Sequence, residues 1–383
     1  ILTDGPAPLP DAGTNTETML SGIDGYDASA LLTIGEQING YVPVGVIDGL
    51  GAVALEDEGV VRVFANHELL HFRGSEYEVT DGDGGTFTLT GARISYFDID
   101  METRQIVDGG LAYDKIVDAN GDYATDNTFL PETFAPFFGG PEDASQWQGF
   151  SRFCSSMLVE ANQFGEGRGL TDTIYFAGEE DGGGFNNVGG AEWALDIATN
   201  TIYQLPAFGR GAWENVTEID SGSDDKVAFI LADDSSPFDA DCDGENEAAP
   251  LFLYVGEKVE GSDDFLARNG LSDGKLCVWV ADNGDTVPSE FNGTGSERSG
   301  TWVEVDNSQN LDLASEDGTT GYDEYGYPTQ RTLWTQAEVL GAFGFSRPED
   351  VATNPIDGTE FVLASTGVDT FDGGSDQFGT MYT

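Results

Sequence analysis

The sequence predicts a mainly β protein, and three observations carry that prediction. From Tyr41 onward, short runs of β-branched and aromatic residues recur between turn residues. Glycine accounts for 52 of the 383 residues, as expected for many tight connections. Helical periodicity is confined to residues 335–342, to 150–161 and to one short helix at 28–37. We therefore expect antiparallel strands with few short helices.

Twelve runs carry the strand pattern, and polar turns such as Thr199–Asn200 separate several of them as hairpins. The runs are Val44–Ile47, Gly51–Leu55, Val60–Ala65, Thr86–Leu89, Arg93–Phe97, Thr173–Ala177, Glu192–Ile197, Lys226–Leu231, Leu251–Val255, Lys275–Ala281, Trp302–Val305 and Glu360–Ala364. So many short strands can form a two-sheet sandwich or the radial blades of a β-propeller. No repeat period decides between the two.

The chain divides into an N-terminal segment and one domain. Residues 1–40 are rich in Pro, Gly and Thr and weakly patterned, so we expect them to pack on the domain that follows. Residues 41–383 are expected to form a single domain, because all-β domains can reach this size as one unit.

The acidic excess excludes several classes of function. The 70 Asp and Glu residues outnumber the 15 Lys and Arg residues, for a net charge of −55. Such a charge repels nucleic acid and anionic membranes, and no apolar run approaches the roughly 18 residues of a membrane span. Aromatic residues make up 11% of the chain, which argues against charged disorder. A solvated acidic surface predicts an extracellular, cell-surface or periplasmic location.

The string from His67 to His71 contains H-E-x-x-H, the zinc-protease motif, and these are the only two histidines in the chain. That motif needs a helix, to place both imidazoles on one face with Glu68 as the base. The preceding Val60–Ala65 reads as a strand and Gly74 follows closely, so the context favours a strand end. Zinc is therefore not the favoured metal.

Two acidic loops match the chemistry of calcium binding. One runs D-x-D-x-D-G through Asp239, Asp241 and Asp243, although Pro250 stands where an EF-hand requires Glu. The other carries Asp118, Asn120 and Asp122. Each is a candidate Ca²⁺ loop, and a solvated acidic turn is the alternative. Three cysteines, Cys154, Cys242 and Cys277, are too few for a disulfide framework.

An ordered series of short motifs resembles the PhoX-type alkaline phosphatases over residues 41–367. The motifs are Asp48–Ala52, Asn66–Glu68, Glu179–Glu180, Gly209–Arg210 with Trp213–Glu214, Ala232–Asp234 with Leu251–Val255, and Ser346–Asp350. The resemblance implies a β-propeller, which we take as six-bladed, with calcium and iron bound in its channel. It also implies that the protein hydrolyses phosphate monoesters at that site.

The resemblance also implies residue roles. By position, Glu179, Glu214 and Glu349 would be metal ligands, and Arg347 would clamp the substrate phosphate with two hydrogen bonds. Glu68, Glu180 and Asp234 fall in shared motifs and join the candidate ligands, and Arg347 and Glu349 are the candidate catalytic residues. The partner would be a small phosphorylated substrate.

Two departures bear on activity. The family has a cysteine directly before the paired glutamates, where this chain has Gly178, so the thiolate ligand for iron is expected to be missing. The segment ending at Thr383 reads as an unfinished strand pair, so the last blade is expected to be incomplete. The alternative to a calcium-dependent phosphoesterase is therefore a non-catalytic calcium-binding propeller, a surface, matrix or assembly protein with a cell-surface or self-assembly partner. A zinc protease is the remote third hypothesis.

Overall fold

The computed structural model describes residues 25, 29–55, 58–129, 149–182, 187–291, 293–369 and 376–383, and it confirms a mainly β protein with few short helices. The described helices are α1 (Phe265–Arg268) and α2 (Gln330–Val339), with short 3₁₀ turns at Asn127–Phe129, Pro206–Phe208 and Leu311–Leu313. Within the described ranges, neither α-helix has the length and apolar character to cross a membrane. Most of the predicted 1–40 segment lies outside the described residues.

Eleven of the twelve predicted runs coincide with strands, whereas the run Val44–Ile47 is wrong because the first strand begins only at Ile47. In chain order they are β1 (Ile47–Leu55), β2 (Val60–His67), β3 (Tyr77–Thr80), β4 (Thr86–Leu89), β5 (Arg93–Asp100), β6 (Ile106–Leu111), β7 (Lys115–Val117), β8 (Phe153–Val159), β9 (Ile174–Glu179), β10 (Glu192–Asp196), β11 (Thr201–Gln204), β12 (Trp213–Ile219), β13 (Lys226–Asp233), β14 (Ala249–Pro250), β15 (Phe252–Glu257), β16 (Gly274–Ala281), β17 (Gly300–Glu304), β18 (Gly344–Phe345), β19 (Pro348–Thr353), β20 (Phe361–Ser365) and β21 (Met381–Tyr382).

Four sheets contain nearly all of these strands. Their orders are β1-β2-β5-β6, β4-β3-β7-β11-β10-β9-β8, β12-β13-β15-β16-β17 and β19-β20-β21, while β14 and β18 form a separate pair. Neighbouring strands are antiparallel except where β7 joins β11 and β3. The predicted hairpin at 195–203 is present, with Asp196 paired to Thr201 across the turn.

One edge strand from each of the four sheets lies beside that of the next sheet; we call this edge strand the first strand of its sheet, and the strand paired with it the second strand. β1, β8, β12 and β19 are each an edge of their own sheet, and β1 packs against β8, β8 against β12, and β12 against β19. Apolar clusters fill the space between sheets; the largest is built around Trp213, Phe229 and Phe252. Radially arranged sheets with their first strands innermost are typical of a propeller. The six-blade count stays a prediction.

The helical predictions were the least accurate. Residues 150–161 are not helical, because Phe153–Val159 form β8 and pair with β9. Residues 29–37 contain bridges and turns instead of the predicted short helix. Near 335–342 a helix does form, but it begins earlier, at Gln330, where the Thr329 side chain accepts a hydrogen bond from the backbone N–H of Thr332.

Candidate metal centre

The same backbone arrangement occurs at one end of all four sheets. The second residue of each first strand is Asp48, Cys154, Glu214 or Glu349. The residue that follows each second strand is Glu68, Glu180, Asp234 or Thr366. Because the first strands are neighbours, these two positions bring one thiol and six carboxylates, all side chains of types that can bind metal ions, to one end of the molecule.

A bulge sits at the start of each first strand. The register shifts directly after Ile47, Phe153, Trp213 and Pro348, the first residues of β1, β8, β12 and β19. A β-bulge bends its strand and re-aims the side chain at the extra residue. We therefore infer that each of the four bulges turns the side chain of the second residue of its strand out of the regular alternation of the sheet.

A repeated backbone hydrogen bond closes this end of each sheet. The N–H groups of Glu68, Glu180, Asp234 and Thr366 donate to the carbonyls of Val46, Arg152, Ala212 and Arg347, at 2.8 to 3.0 Å. Three of these acceptor residues have a left-handed backbone, with φ of 56° at Val46, 47° at Arg152 and 57° at Arg347. Non-glycine residues seldom adopt this conformation, and such strain clusters at functional sites.

Two overlapping groups of side chains could each hold a cation. Ligand atoms of Asp48, Glu68 and Cys154 lie within 4.8 Å of one another, as do those of Cys154, Glu180 and Glu214. The thiol of Cys154 belongs to both groups and lies 2.8 Å from Oε2 of Glu180. The buried Oδ1 of Asp234 finds no hydrogen-bond partner among the described residues. One thiol close to several carboxylates, together with a carboxylate oxygen that has no hydrogen-bond partner, forms a set of donor atoms that fits bound cations.

Two arginines flank the carboxylates. Arg347 Nη2 donates to Oδ2 of Asp234 at 2.6 Å. Arg152 donates from Nε to Oε1 of Glu68 at 3.3 Å and from Nη2 to Oε2 of Glu180. Each arginine directly precedes a first strand, so the two occupy equivalent positions in their sheets.

Two carboxyl groups of the cluster, those of Glu214 and Asp234, have raised pKa values. Burial, together with repulsion from Glu180, Asp234, Glu349 and Asp48, raises the pKa of Glu214 to about 9. Burial raises the pKa of Asp234 to about 7 despite the opposing hydrogen bond from Arg347. The pKa of the Cys154 thiol is raised as well, by burial first and then by Glu180. Without a cation, the cluster therefore retains protons that a metal ion would displace.

Two buried polar residues next to the centre, Asn66 and Tyr175, form hydrogen bonds that connect the strands carrying its ligands. The Asn66 side chain is fully buried and donates from Nδ2 to the carbonyl of Ser155 at 2.8 Å. Its Oδ1 accepts from the hydroxyl of Tyr175 at 3.0 Å, and the same hydroxyl is 3.1 Å from the carbonyl of Gly49. Asn66 and Tyr175 thus connect the bulge of β1 to that of β8.

The structure places a thiol in the cluster, although Gly178 stands at the family's cysteine position. A Cβ atom at Gly178 would lie 2.4 Å from the Trp213 carbonyl oxygen, so that position faces the neighbouring sheet and has no room for a ligand. Cys154, from the adjacent strand, supplies the thiol instead. Sequence reasoning also missed Asp48 and Arg152 as site residues. A signal was present, since Ser151–Cys154 and Ser346–Glu349 share the pattern Ser-Arg-x-ligand.

Glu179 is placed apart from this cluster. It is buried, its Oε1 accepts from the Ser151 N–H at 2.9 Å, and its Oε2 accepts from Trp193 Nε1 at 3.2 Å. Glu180 lies on the opposite side of the strand and reaches Cys154. Of the paired glutamates, the second is therefore the one at the centre.

The two histidines do not form a zinc site. His67 ends β2, and its ring nitrogens lie 2.7 Å from Ser95 Oγ and 3.3 Å from the Gly45 carbonyl. Burial lowers the pKa of both His67 and His71 to about 4, so both are neutral. The strand end favoured by the sequence is confirmed, and the helix that a zinc protease requires is absent from this described segment.

The acidic loops differ from each other. Asp239, Asp241 and the buried Glu247 have ligand atoms within 4.8 Å of one another, whereas Asp243 stays outside this group. In the other loop, Oδ1 of Asp118 accepts from the N–H groups of Asn120 and Asp122, at 2.9 and 3.0 Å, and so caps its own turn. Calcium binding at both loops stays a prediction.

The fold and the centre define a mainly β protein with a carboxylate-rich metal-type site. No known protein family and no curated protein matches the sequence. Among solved structures, the chain is similar to PhoX of Pseudomonas fluorescens in complex with vanadate, a transition state analogue. The TM-score is 0.50 at 16% identity, covering 88% of this chain and 63% of that one. The likeness supports a PhoX-like fold, and the chain spans less than two thirds of that protein's length.

Proposed function

We propose that this chain is a metal-dependent phosphoesterase that acts on phosphate monoesters. The observation that carries the proposal is the convergence of Cys154 and six carboxylates at one end of four sheets, with Arg347 beside them. PhoX, the structural neighbour, is described with bound vanadate, a transition state analogue, which points to the same class of reaction.

The chain's own residues suggest how the site would work. Asp48, Glu68, Cys154, Glu180 and Glu214 would hold the cations, which supply Lewis-acid polarisation of a phosphoryl oxygen. Arg347 would orient the phosphate through paired N–H donors, as guanidinium groups do. Its backbone strain and its hydrogen bond to Asp234 keep the guanidinium at the edge of the cluster. Glu349, second in its strand, would complete the acidic side of the site.

The donor set supports two kinds of metal. Carboxylates suit Ca²⁺, whereas a thiolate favours a softer ion such as iron. Cys154 belongs to both ligand groups, which supports iron as a second candidate metal although Gly178 stands at the position of the family's cysteine. We further propose that residues 41–383 form part of a six-bladed propeller, and that the acidic surface serves an extracellular or periplasmic setting.

The test is hydrolysis of a chromogenic phosphate monoester by the purified chain, with elemental analysis of the same sample. We expect turnover with Ca²⁺ and iron, loss of turnover with chelator, and a large loss in Arg347→Ala. Arg62→Ala is the matched control, since Arg62 pairs with Asp98 on strands β2 and β5 away from the centre. Metal binding without turnover under all these conditions would reject the esterase and favour the non-catalytic calcium-binding alternative.

A further inference from the structure

Arg152 and Arg347 are repeats of one structural position. Each directly precedes a first strand, has a left-handed backbone, and accepts a hydrogen bond on its carbonyl from the residue after the second strand of its own sheet. Each also reaches the carboxylate that follows the second strand of the preceding sheet: Glu68 for Arg152 and Asp234 for Arg347.

Arg152 makes one contact that Arg347 does not. Its guanidinium also binds Glu180, from its own sheet. Glu68 belongs to one of the two candidate cation groups and Glu180 to the other, and the two groups share Cys154. Arg152 is therefore a bridge between the groups, and its side chain is only 16% exposed.

We propose that Arg152 is a positioning residue for the metal centre: its guanidinium holds Glu68 and Glu180 so that both ligand groups are formed around Cys154. The inference rests on the proposed metal-dependent function and adds a residue that sets metal affinity. Fixing ligand orientation through hydrogen bonds from outside the coordination sphere changes metal affinity by about 10–100-fold. A planar guanidinium holds two carboxylates at a defined separation, whereas an ammonium group on a flexible stem can contact both without fixing their geometry.

An opposite role for Arg152 makes a different prediction. If the guanidinium only occupied the place of a cation, removing its charge would strengthen metal binding, and a lysine would behave like the arginine. The variants Arg152→Lys and Arg152→Gln separate these two cases. The lysine keeps the positive charge but loses the planar group that contacts both Glu68 and Glu180, whereas the glutamine also removes the charge.

The test is titration of the full chain with Co²⁺, followed by the charge-transfer absorption of a cobalt-bound thiolate. Cys242→Ser and Cys277→Ser form the background, because the chain has three cysteines and Cys154 is then the one thiol that can report. Arg62→Lys is the matched control, since it removes an arginine that makes two hydrogen bonds to one carboxylate, that of Asp98, outside the centre. Melting temperatures in chelator show whether each variant is folded.

We expect Arg152→Lys to weaken Co²⁺ binding by about 10–100-fold and Arg62→Lys to leave it unchanged. Equal affinity in Arg152→Lys and the parent, or tighter binding in Arg152→Gln, would overturn the inference while leaving the metal centre intact. Absence of the cobalt–thiolate band in the parent protein would instead overturn the proposed metal centre, and the role of Arg152 with it. If the lysine variant does not fold, the sign of the change in Arg152→Gln decides.

Discussion

In the proposed centre, Cys154 would decide which metals are preferred. Its thiol is shared by both ligand groups, and every other candidate ligand there is a carboxylate. Thiolates bind softer ions, whereas Ca²⁺ prefers oxygen ligands. We therefore expect Cys154→Ser to weaken binding of Co²⁺ or iron by at least about tenfold and to change Ca²⁺ affinity much less. Calorimetric titration measures both, with Cys277→Ser as the control. An equal loss for both kinds of metal would contradict the assignment.

Gly178 is required for packing between sheets. A Cβ atom there would lie 2.4 Å from the Trp213 carbonyl oxygen and 2.8 Å from Oε2 of Glu192. Overpacking of this kind costs roughly 1–3 kcal/mol in the free energy of unfolding. We expect Gly178→Ala to show this loss in chemical denaturation. Gly45→Ala, with no atom within 4 Å of its added Cβ, should lie near the parent. Equal stability of the two variants would show that the sheets can separate at Gly178.

At the residue scale, sequence identified carboxylates better than their partners. Glu180, Glu214, Asp234 and Glu349 were all predicted as ligands and lie around one centre. Cys154 was not predicted as a ligand because it does not stand directly before the paired glutamates, where the family has its cysteine. Which residues of two neighbouring strands face each other depends on their pairing, and the sequence does not state that pairing.

At the scale of elements, strands were predicted well and bulges were not. Runs such as Lys226–Leu231 and Lys275–Ala281 lie within β13 and β16, because their apolar pattern is local. A bulge is defined by an extra residue relative to the partner strand, so it cannot be recognised in one strand alone. The four bulges that aim Asp48, Cys154, Glu214 and Glu349 therefore became visible only in the structure.

The far end of β12 carries a separate titrating group. Glu218 is fully buried, its Oε2 accepts from Gln163 Nε2 at 2.6 Å, and burial raises its pKa to about 7. Because the folded-state pKa lies above the unfolded value, the proton stabilises the fold below about pH 4.5. That contribution, of about 3 kcal/mol, is lost as the pH rises through 7.

We expect Glu218→Gln to remove this pH dependence, since the amide carries no charge to bury. Melting temperatures at pH 5.5 and pH 8 should differ less in Glu218→Gln than in the parent protein. Glu257→Gln, at an exposed site on β15, is the control and should behave like the parent. A parent-like pH dependence in Glu218→Gln would show that Glu218 is ionised in the fold at both pH values.

At the scale of the whole molecule, the net charge of −55 divides into two parts. Most acidic groups are solvated, and salt screens their mutual repulsion over a Debye length of about 10 Å at 0.1 M. The carboxylates of the proposed centre are crowded and mostly only partly exposed, with Asp234 buried, so cations or protons are expected to offset their repulsion. The sequence predicted the total charge, but only the convergence of four sheets shows where it is concentrated.

This division predicts how metal and pH jointly set stability. In metal-free protein, the pKa of Glu214 is raised to about 9 and that of Asp234 to about 7, so their protons stabilise the fold at low pH. Both contributions to the free energy of unfolding are lost as the pH rises through those pKa values, because the folded state then gives up the protons that stabilise it. Bound Ca²⁺ replaces the protons and stabilises the fold by mass action.

We therefore expect the difference in melting temperature between Ca²⁺-loaded and chelated protein to widen from pH 6 to pH 8.5. Adding 1 M NaCl should raise both melting temperatures without closing the difference, since salt screens the exposed surface charges more strongly than the partly buried carboxylates of the centre. In Glu214→Gln the widening with pH should be smaller, because one titrating carboxyl group is removed. A difference that stays constant with pH, or that vanishes in high salt, would mean that calcium acts on the acidic surface and leaves the proposed centre unfilled.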